Sequence, residues 1–378
     1  MIHIFKTFFL LGWISFGGPA AHIGYFRQTF VEKLNWLSDE EYGQVVALSQ
    51  FLPGPGSSQV GFALGYKRGG LLGAISAFIG FTSPSVILML IFAFVATELT
   101  TSSLFQNIVH GLKLLAVVVV ADAALGMYRS FCKQTATVTV CILTAIALLI
   151  LPSVSMQIVV LLVAALFGAF YLKQDNGQQS SFKPSFTPLI LFIVLLVGLP
   201  WIAAITPEIN LFNQFYQAGS LVFGGGHVVL PLLQSLVGEQ VSQDTFLTGY
   251  AAAQAVPGPM FTFATFIGFE MLPSNPVLGS LIATLAVFLP GFLLLLAVLK
   301  NWQALAQKPV VSGALMSVNA AVVGFLIAAL YQPVFTSAVN NPLDIALVIA
   351  GFYAMKQLKL PILWLVLLFI FAGAMLGI

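Results

Sequence analysis

The sequence predicts an all-α polytopic membrane protein made of two inverted-topology repeats with discontinuous or re-entrant helices. Three observations carry this. Of 378 residues, 59% are hydrophobic and only 7% are charged, whereas a soluble domain carries about 25% charged residues. Apolar runs of membrane-spanning length recur from end to end, about thirteen of them. A Gly/Pro signature also occurs twice: Phe16-Gly17-Gly18-Pro19 with Pro53-Gly54-Pro55, then Phe223-Gly224-Gly225-Gly226 with Pro257-Gly258-Pro259. Helix-breaking residues survive at membrane depth only where the freed backbone is buried in protein or lines a cavity. Their recurrence at matching places in two halves is the sequence mark of a transporter binding site.

The apolar segments fall approximately at 4–18, 43–66, 71–97, 104–128, 136–151, 156–173, 186–205, 211–236, 246–271, 278–299, 310–331, 342–356 and 361–378. The first, following Lys6, has the look of a secretion signal, but the Phe-Gly-Gly element at its end reappears in mid-chain and so belongs to the fold. The second is broken by Pro53-Gly54-Pro55, and the eighth and ninth carry the second copy of both breaks. The fourth holds His110, Lys113 and Asp122. Residues 174–185 form the one clear polar linker, and 186–205 is a connecting helix with no counterpart. Cys132 and Cys141 offer neither a disulfide framework nor metal-ligand spacing.

The repeat extends beyond the signature. Leu37-Ser38 to Pro55 aligns without a gap on Val241-Ser242 to Pro259, pairing Ala47 with Ala251 and Gln50 with Gln254. Gly73 pairs with Gly279, Pro84 with Pro290 and Lys113 with Asn319, all at one offset. The division is a first repeat at 1–173, linker and connecting helix at 174–206, and a second repeat at 207–378. Six segments plus one is odd, so the second repeat enters the membrane in the opposite sense. With the N-terminus cytoplasmic, inner loops collect Lys67, Arg68, Arg129, Lys133, Lys173, Lys183, Lys300, Lys308, Lys356 and Lys359, and outer loops carry only Arg27 and Lys33. That asymmetry fits the positive-inside rule and puts the C-terminus outside a plasma (inner) membrane.

Several residues are candidates for chemistry. Gly17-Gly18 unwinds the backbone and Pro19 suits the first turn of a new helix. Gly54, Pro55 and Gly56 break the second segment, with Ser57 or Ser58 as a cap for the helix after the break. Each device leaves a helix N-terminus, with free N–H groups and partial positive charge, at membrane depth, and such an end binds anions. The second half offers Gly224 to Gly226 and Pro257 to Pro259, with Thr262 as the nearby hydroxyl. Ionisable residues in spans are expensive and functional by default. Lys113 is therefore a candidate counter-charge for a substrate, with Asn319 in its place in the second repeat, and Asp122 a candidate proton carrier. Nine residues separate Lys113 from Asp122, so they face opposite sides of their helix. His22 and Arg27 follow the first break and His227 the third. Arg27 either grips an oxyanion or anchors at the interface. Gln50 and Gln254 either donate to an anion or tie the broken backbone. The expected anion position lies between Pro53–Gln59 and Pro257–Thr262, with Lys113 alongside.

The strings FGGPAAHIGYFR, LSDEEYGQVVALSQFLPGPGSSQVGFALGYKRGG, GFTSPS, FGGGHVVLP and AAQAVPGP resemble the chromate transporter family. The resemblance implies membrane transport of chromate, generally its export as a resistance mechanism, with sulfate as the analogue. It also implies that the chain corresponds to two fused copies of a half-length protein that otherwise works as an oppositely oriented pair. The second copy diverges: Gly226 stands in place of Pro19, and Met260 in place of Gly56.

A secondary oxyanion transporter with alternating access is the leading reading. An anion channel is the second, since broken helices and basic residues serve a pore equally well. An intramembrane hydrolase using Ser57 or Ser58 with a histidine is the third, and lacks a strand–elbow context. No nucleotide-binding GxxxxGK[ST] loop occurs in the chain. A net charge of +2 gives no reason to expect nucleic acid as a partner. No cofactor or metal is expected; membrane lipid surrounds the spans, and a homodimer is compatible with the sequence without being required by it. Reporter fusions at Asn176 and Ile378 are expected to report opposite compartments, cytoplasmic and extracytoplasmic. The same compartment for both would overturn the odd segment count.

Overall fold

The computed structural model describes residues 1–99, 102–172, 184–223, 229–237, 240–300 and 308–376. The first repeat comprises α1 (Ile2–Ile14), α2 (Gly18–Phe26) running into a π-helical turn (Arg27–Lys33), α3 (Asp39–Phe51), α4 (Gly56–Leu99), α5 (Ser103–Phe131), α6 (Thr135–Ile150) and α7 (Val154–Tyr171). The connecting helix is α8 (Phe186–Ile202). The second repeat holds α9 (Pro207–Leu221), α10 (Val229–Val237), α11 (Gln243–Ala255), a 3₁₀ turn (Met260–Thr262) leading into α12 (Phe263–Met271), and α13 (Pro276–Val298). It closes with α14 (Pro309–Ala329), α15 (Pro342–Lys356) and α16 (Ile362–Leu376). Capping chemistry sets many of these starts. Ser38 and Glu41 form a reciprocal capping box at α3, Ser242 caps α11, and Pro207, Pro276, Pro309 and Pro342 open their helices.

Four stretches, Gly56–Leu99, Ser103–Phe131, Pro276–Val298 and Pro309–Ala338, are long and apolar enough to cross a bilayer. Segments read from hydropathy as single spans resolve differently. The stretch 43–66 is α3 and the first part of α4, folded into a hairpin at Pro53-Gly54-Pro55. The stretches 211–236 and 246–271 divide in the same way into α9 with α10 and α11 with α12. α4 itself turns back at Gly69-Gly70, where Gly70 has φ +61. Beyond that turn Gly65 and Gly73 pack backbone to backbone, as Gly268 and Gly279 do between α12 and α13. Small residues are what allow helices to approach this closely in a membrane.

The hairpins correct one expectation. Lys67 Nζ lies 3.3 Å from Glu41 Oε1, Arg68 stacks 5.5 Å over Trp36, and Ser76 reaches Met1. The loop after α2, with Arg27 and Lys33, therefore lies on the same face as the N-terminus and Lys67, not on the opposite one. The cause is that α1–α2, and α3 with the part of α4 before Gly69, each enter and return, so neither pair crosses; the crossing is made by α4 beyond Gly70. At the other end of the molecule, His110 near the start of α5 meets Asp344 at the start of α15, and Gly373 of α16 packs on Asn107. The end of α16 thus lies at the face opposite Met1.

Contacts between the halves come in reciprocal pairs. Gly54 N–H donates to Val222 O at 2.6 Å, and Gly258 N–H donates to Ser15 O at 2.8 Å. Each Pro-Gly-Pro break is thus satisfied by the carbonyl end of the first break in the other half. Gly54 faces Gly291 of α13 and Gly258 faces Ser85 of α4. Ser85 donates to Pro257 O at 2.6 Å. Gln59 donates to Pro53 O at 2.8 Å and to Gly291 O at 3.0 Å. Gly12 abuts Pro84 while Gly219 abuts Pro290. The later helices exchange partners too: Gly168 of α7 packs on Gly313 of α14, and Gly111 of α5 on Phe369 of α16. Phe62 and Phe292 stack at 4.2 Å across the centre.

Gly258 holds φ +94, and a Cβ there would overlap Ser85 Oγ, whereas Gly24 has open space around it. Gly258→Ala is therefore expected to destabilise the protein by about 1–3 kcal/mol, with Gly24→Ala near neutral. Thermal unfolding of both variants in detergent checks this.

Candidate functional site

Two cavities lie along α5. A central one of about 270 Å³ is lined by Gly17, Gly18, Asp122, Gln254, Gly258 and Met260 among others. It sits where the first break of the first repeat meets the Pro-Gly-Pro break of the second. Gly17 and Gly18 hold φ +100 and +74, and α2 begins at Gly18 with Pro19 in its first turn, as the sequence leads one to expect. Their N–H groups donate to no acceptor among the described residues. Two unspent donors at a helix start bordering a cavity are the chemistry an anion would need. Gln254 brings a side-chain amide to the same space, and Asp122 brings a carboxylate that is paired with Lys356 at the end of α15.

The second cavity, about 510 Å³, opens at the face opposite the N-terminus and is lined by His110, Lys113, Asp244, Thr248, Glu270 and Asn341 among others. Lys113 is buried, with 7% of its side chain exposed, and pairs with Asp244, whose side chain is 76% exposed. His110 Nε2 lies 3.0 Å from Asp344 Oδ1. Asp344 also accepts the N–H groups of Asn340 and Asn341 at 2.8 and 3.2 Å, so this buried carboxylate is satisfied on all sides.

The structure does not bring Lys113 to Pro53–Gln59; it places Lys113 against the start of α11. Nor is there open space at Gly54, whose N–H is spent on Val222 and whose Cα faces Gly291. Pro257 and Pro259 spend their carbonyls on Ser85 and Thr262. Neither Ser57 nor Ser58 caps α4. Ser57 Oγ instead lies 3.1 Å from His22 Nδ1, and His22 Nε2 lies 3.1 Å from Ser15 O. A carbonyl only accepts, so Nε2 carries the hydrogen and Nδ1 accepts from Ser57. His22 is fully buried and ties α2, α4 and the first break together. The Ser58 hydroxyl and the Asn319 Oδ1 are buried without a partner among the described residues. Gln50 is exposed, with its amide near Gly56. Gly224, Gly225, Gly226 and His227 lie outside the described residues. Arg27 grips Asp39 in a two-point contact at 2.8 and 3.1 Å and Glu32 at 2.5 Å. The guanidinium holds the Asp39 carboxyl below the usual carboxylate range.

Sequence reasoning missed Asp244, Lys356, Asp344, Gln59 and Ser85. Asp244 and Lys356 sit at helix ends, where charges look like solvated loop residues. Gln59 and Ser85 are ordinary polar residues, each with an acceptor in the other repeat.

The chromate transporter family model matches residues 2–169 and 209–378. The chain belongs to the chromate transporter family. A chromate transport protein of Cupriavidus metallidurans is 25% identical over 361 residues, covering 93% of this chain and 87% of that protein. An uncharacterized transporter of Methanocaldococcus jannaschii is 26% identical over 339 residues, 86% of this chain and 83% of its own length. The Bacillus subtilis transporter YwrA, also uncharacterized, is 24% identical over 172 residues, covering 45% of this chain but 97% of YwrA. No solved structure matches. This family member thus contains a half-length relative's worth of sequence in less than half its own length.

Because the Arg27 guanidinium is already occupied by two carboxylates at the surface, Arg27→Gln is expected to leave anion affinity within about twofold of the parent. Saturation curves for anion uptake, run at two ionic strengths, check it.

Proposed function

We propose that this protein is a secondary transporter of tetrahedral oxyanions, chromate foremost, with sulfate as analogue or counter-substrate. The observation that carries the reading is the central cavity, where Gly17 and Gly18 offer free N–H groups and Gln254 an amide. Chromate and sulfate are both tetrahedral dianions, and dispersed N–H donors suit either. Relatives in Cupriavidus metallidurans and Pseudomonas aeruginosa bear the name chromate transport protein.

The two repeats, 1–173 and 207–378 joined through 174–206, meet at this cavity through reciprocal contacts. Such near-symmetry supports alternating access, because rocking one repeat against the other generates a second conformation of similar energy. The N-terminal face collects Lys6, Arg27, Lys33, Lys67, Arg68, Arg129, Lys133, Lys300, Lys308, Lys356 and Lys359, so the positive-inside rule makes it cytoplasmic. Export of a dianion is then favoured by an inside-negative potential, about 4.6 kcal/mol for two charges at 100 mV. Asp122 is the proton carrier in this reading: its carboxylate shares the cavity with the anion and repels it unless neutralised. Ser57 and His22 form a structural tie, not a catalytic pair.

Chromate uptake into proteoliposomes under imposed potential and pH gradients tests the function. Internal sulfate is expected to accelerate uptake, which a channel does not show. An imposed pH gradient is expected to alter the rate in the parent but not in Asp122→Asn. Flux without counterflow would make the protein a channel, and absence of anion-specific flux would remove the reading.

A further inference from the structure

Two charged pairs lie at successive depths along α5, which with α11 and α15 forms one seam, Lys113 and Asp122 leaving α5 on opposite sides. α5 and α11 both run inward from the face opposite the N-terminus, flanking first the outer cavity and then the central one. At the outer end Lys113 meets Asp244, and at the inner end Lys356 meets Asp122. Lys113 and Asp122 are nine residues apart on α5, roughly 13 Å at the helical rise. Lys113 and Asp244 line the outer cavity, and Asp122 lines the central one.

The seam related to it by the repeat has none of this. Asn319 replaces Lys113, the exposed Glu40 replaces Asp244, Ala328 replaces Asp122 and Ile150 replaces Lys356. A pair needed only to hold the fold would serve both halves equally, since their helix packing is reciprocal. The two members of the outer pair are also unequally buried. Lys113 is almost wholly buried and requires an anionic partner, because an unpaired cation at that depth is costly. Its partner Asp244 keeps three quarters of its side chain exposed, so leaving costs little desolvation. A dianion brings twice the charge to the same ammonium and so competes well for it.

We propose that the anion travels along the seam of α5, α11 and α15 alone, passing from one side of α5 to the other, and that Lys113 and Lys356 are two anion stations at its outer and inner ends. Asp244 and Asp122 are their resting counter-ions, displaced by the arriving anion and restored when it moves on. The inference rests on the oxyanion-transport reading and adds to it the route, the two stations and the residues that mimic the cargo in its absence.

The test measures chromate transport in right-side-out and inside-out vesicles. The parent protein is assayed first; if it moves neither chromate nor sulfate, the functional reading fails and the seam with it. If it does transport, Lys113→Gln is expected to raise KM about tenfold or more for anion presented at the face opposite the N-terminus. Lys356→Gln does the same for anion presented at the N-terminal face. Asp244→Asn removes a competitor and lowers KM about threefold at the first face only. Glu40→Gln, the counterpart in the other seam, leaves KM unchanged. The exchanged pair Lys113→Asp with Asp244→Lys separates the stations from a merely structural bridge, because it keeps the bridge but moves the cation out of the buried position. Failure of that exchange to restore uptake in a stably folded protein supports the stations. Restored transport, or KM changes independent of the face, overturns them while leaving the transport reading intact.

Discussion

Everything in this molecule hangs on how its interrupted helices satisfy their backbone at membrane depth. Water is not there to accept or donate, so each freed N–H or carbonyl needs a partner supplied by protein. The solution is exchange between the repeats: Gly54 N–H to Val222 O, and Gly258 N–H to Ser15 O. Neither repeat can satisfy its own Pro-Gly-Pro break in this way. The two halves are thereby committed to each other, and α5, α6, α7, α14, α15 and α16 join them by packing on the opposite repeat through glycine contacts.

That commitment leaves a few groups over, and these border the central cavity. Gly258 spends its N–H on Ser15, while Gly17 and Gly18, next along from Ser15, keep theirs. A helix that starts inside a cavity with unspent donors is electrostatically prepared for an anion before any side chain is considered. Side chains then break the symmetry. The lysines and aspartates on α5, α11 and α15 fall on one seam, and the other seam carries Asn319, Ala328 and Ile150 in their places. A fold assembled from two like halves thus carries these ion pairs on one side only.

The histidine and serine of the first repeat illustrate how context decides chemistry. His22 and Ser57 stand at hydrogen-bond distance, as a nucleophile and base would. Both are buried, and the second imidazole nitrogen is spent on the Ser15 carbonyl. The same two residues in an open cleft would suggest hydrolysis; here they lock the first break beside the two glycines that line the cavity.

Composition and pattern alone determined that the chain is helical, lies in a membrane, repeats once and breaks at Gly17-Gly18 and at both Pro-Gly-Pro strings. Those conclusions rest on hydropathy, on turn-forming residues and on internal alignment, all of which are local properties of the chain. Positive φ at Gly54 and the start of α2 at Gly18 were legible for the same reason. Which broken ends face each other, and therefore which N–H groups remain free, was decided only by the tertiary structure, because the acceptors lie in the other repeat. The same holds for the partners of Lys113 and Asp122, which come from helices far away in sequence. Hydropathy also could not tell a crossing from a hairpin, since both consist of apolar helix. It took the contacts of Lys67 with Glu41 and of Arg68 with Trp36 to return the Arg27 loop to the N-terminal face.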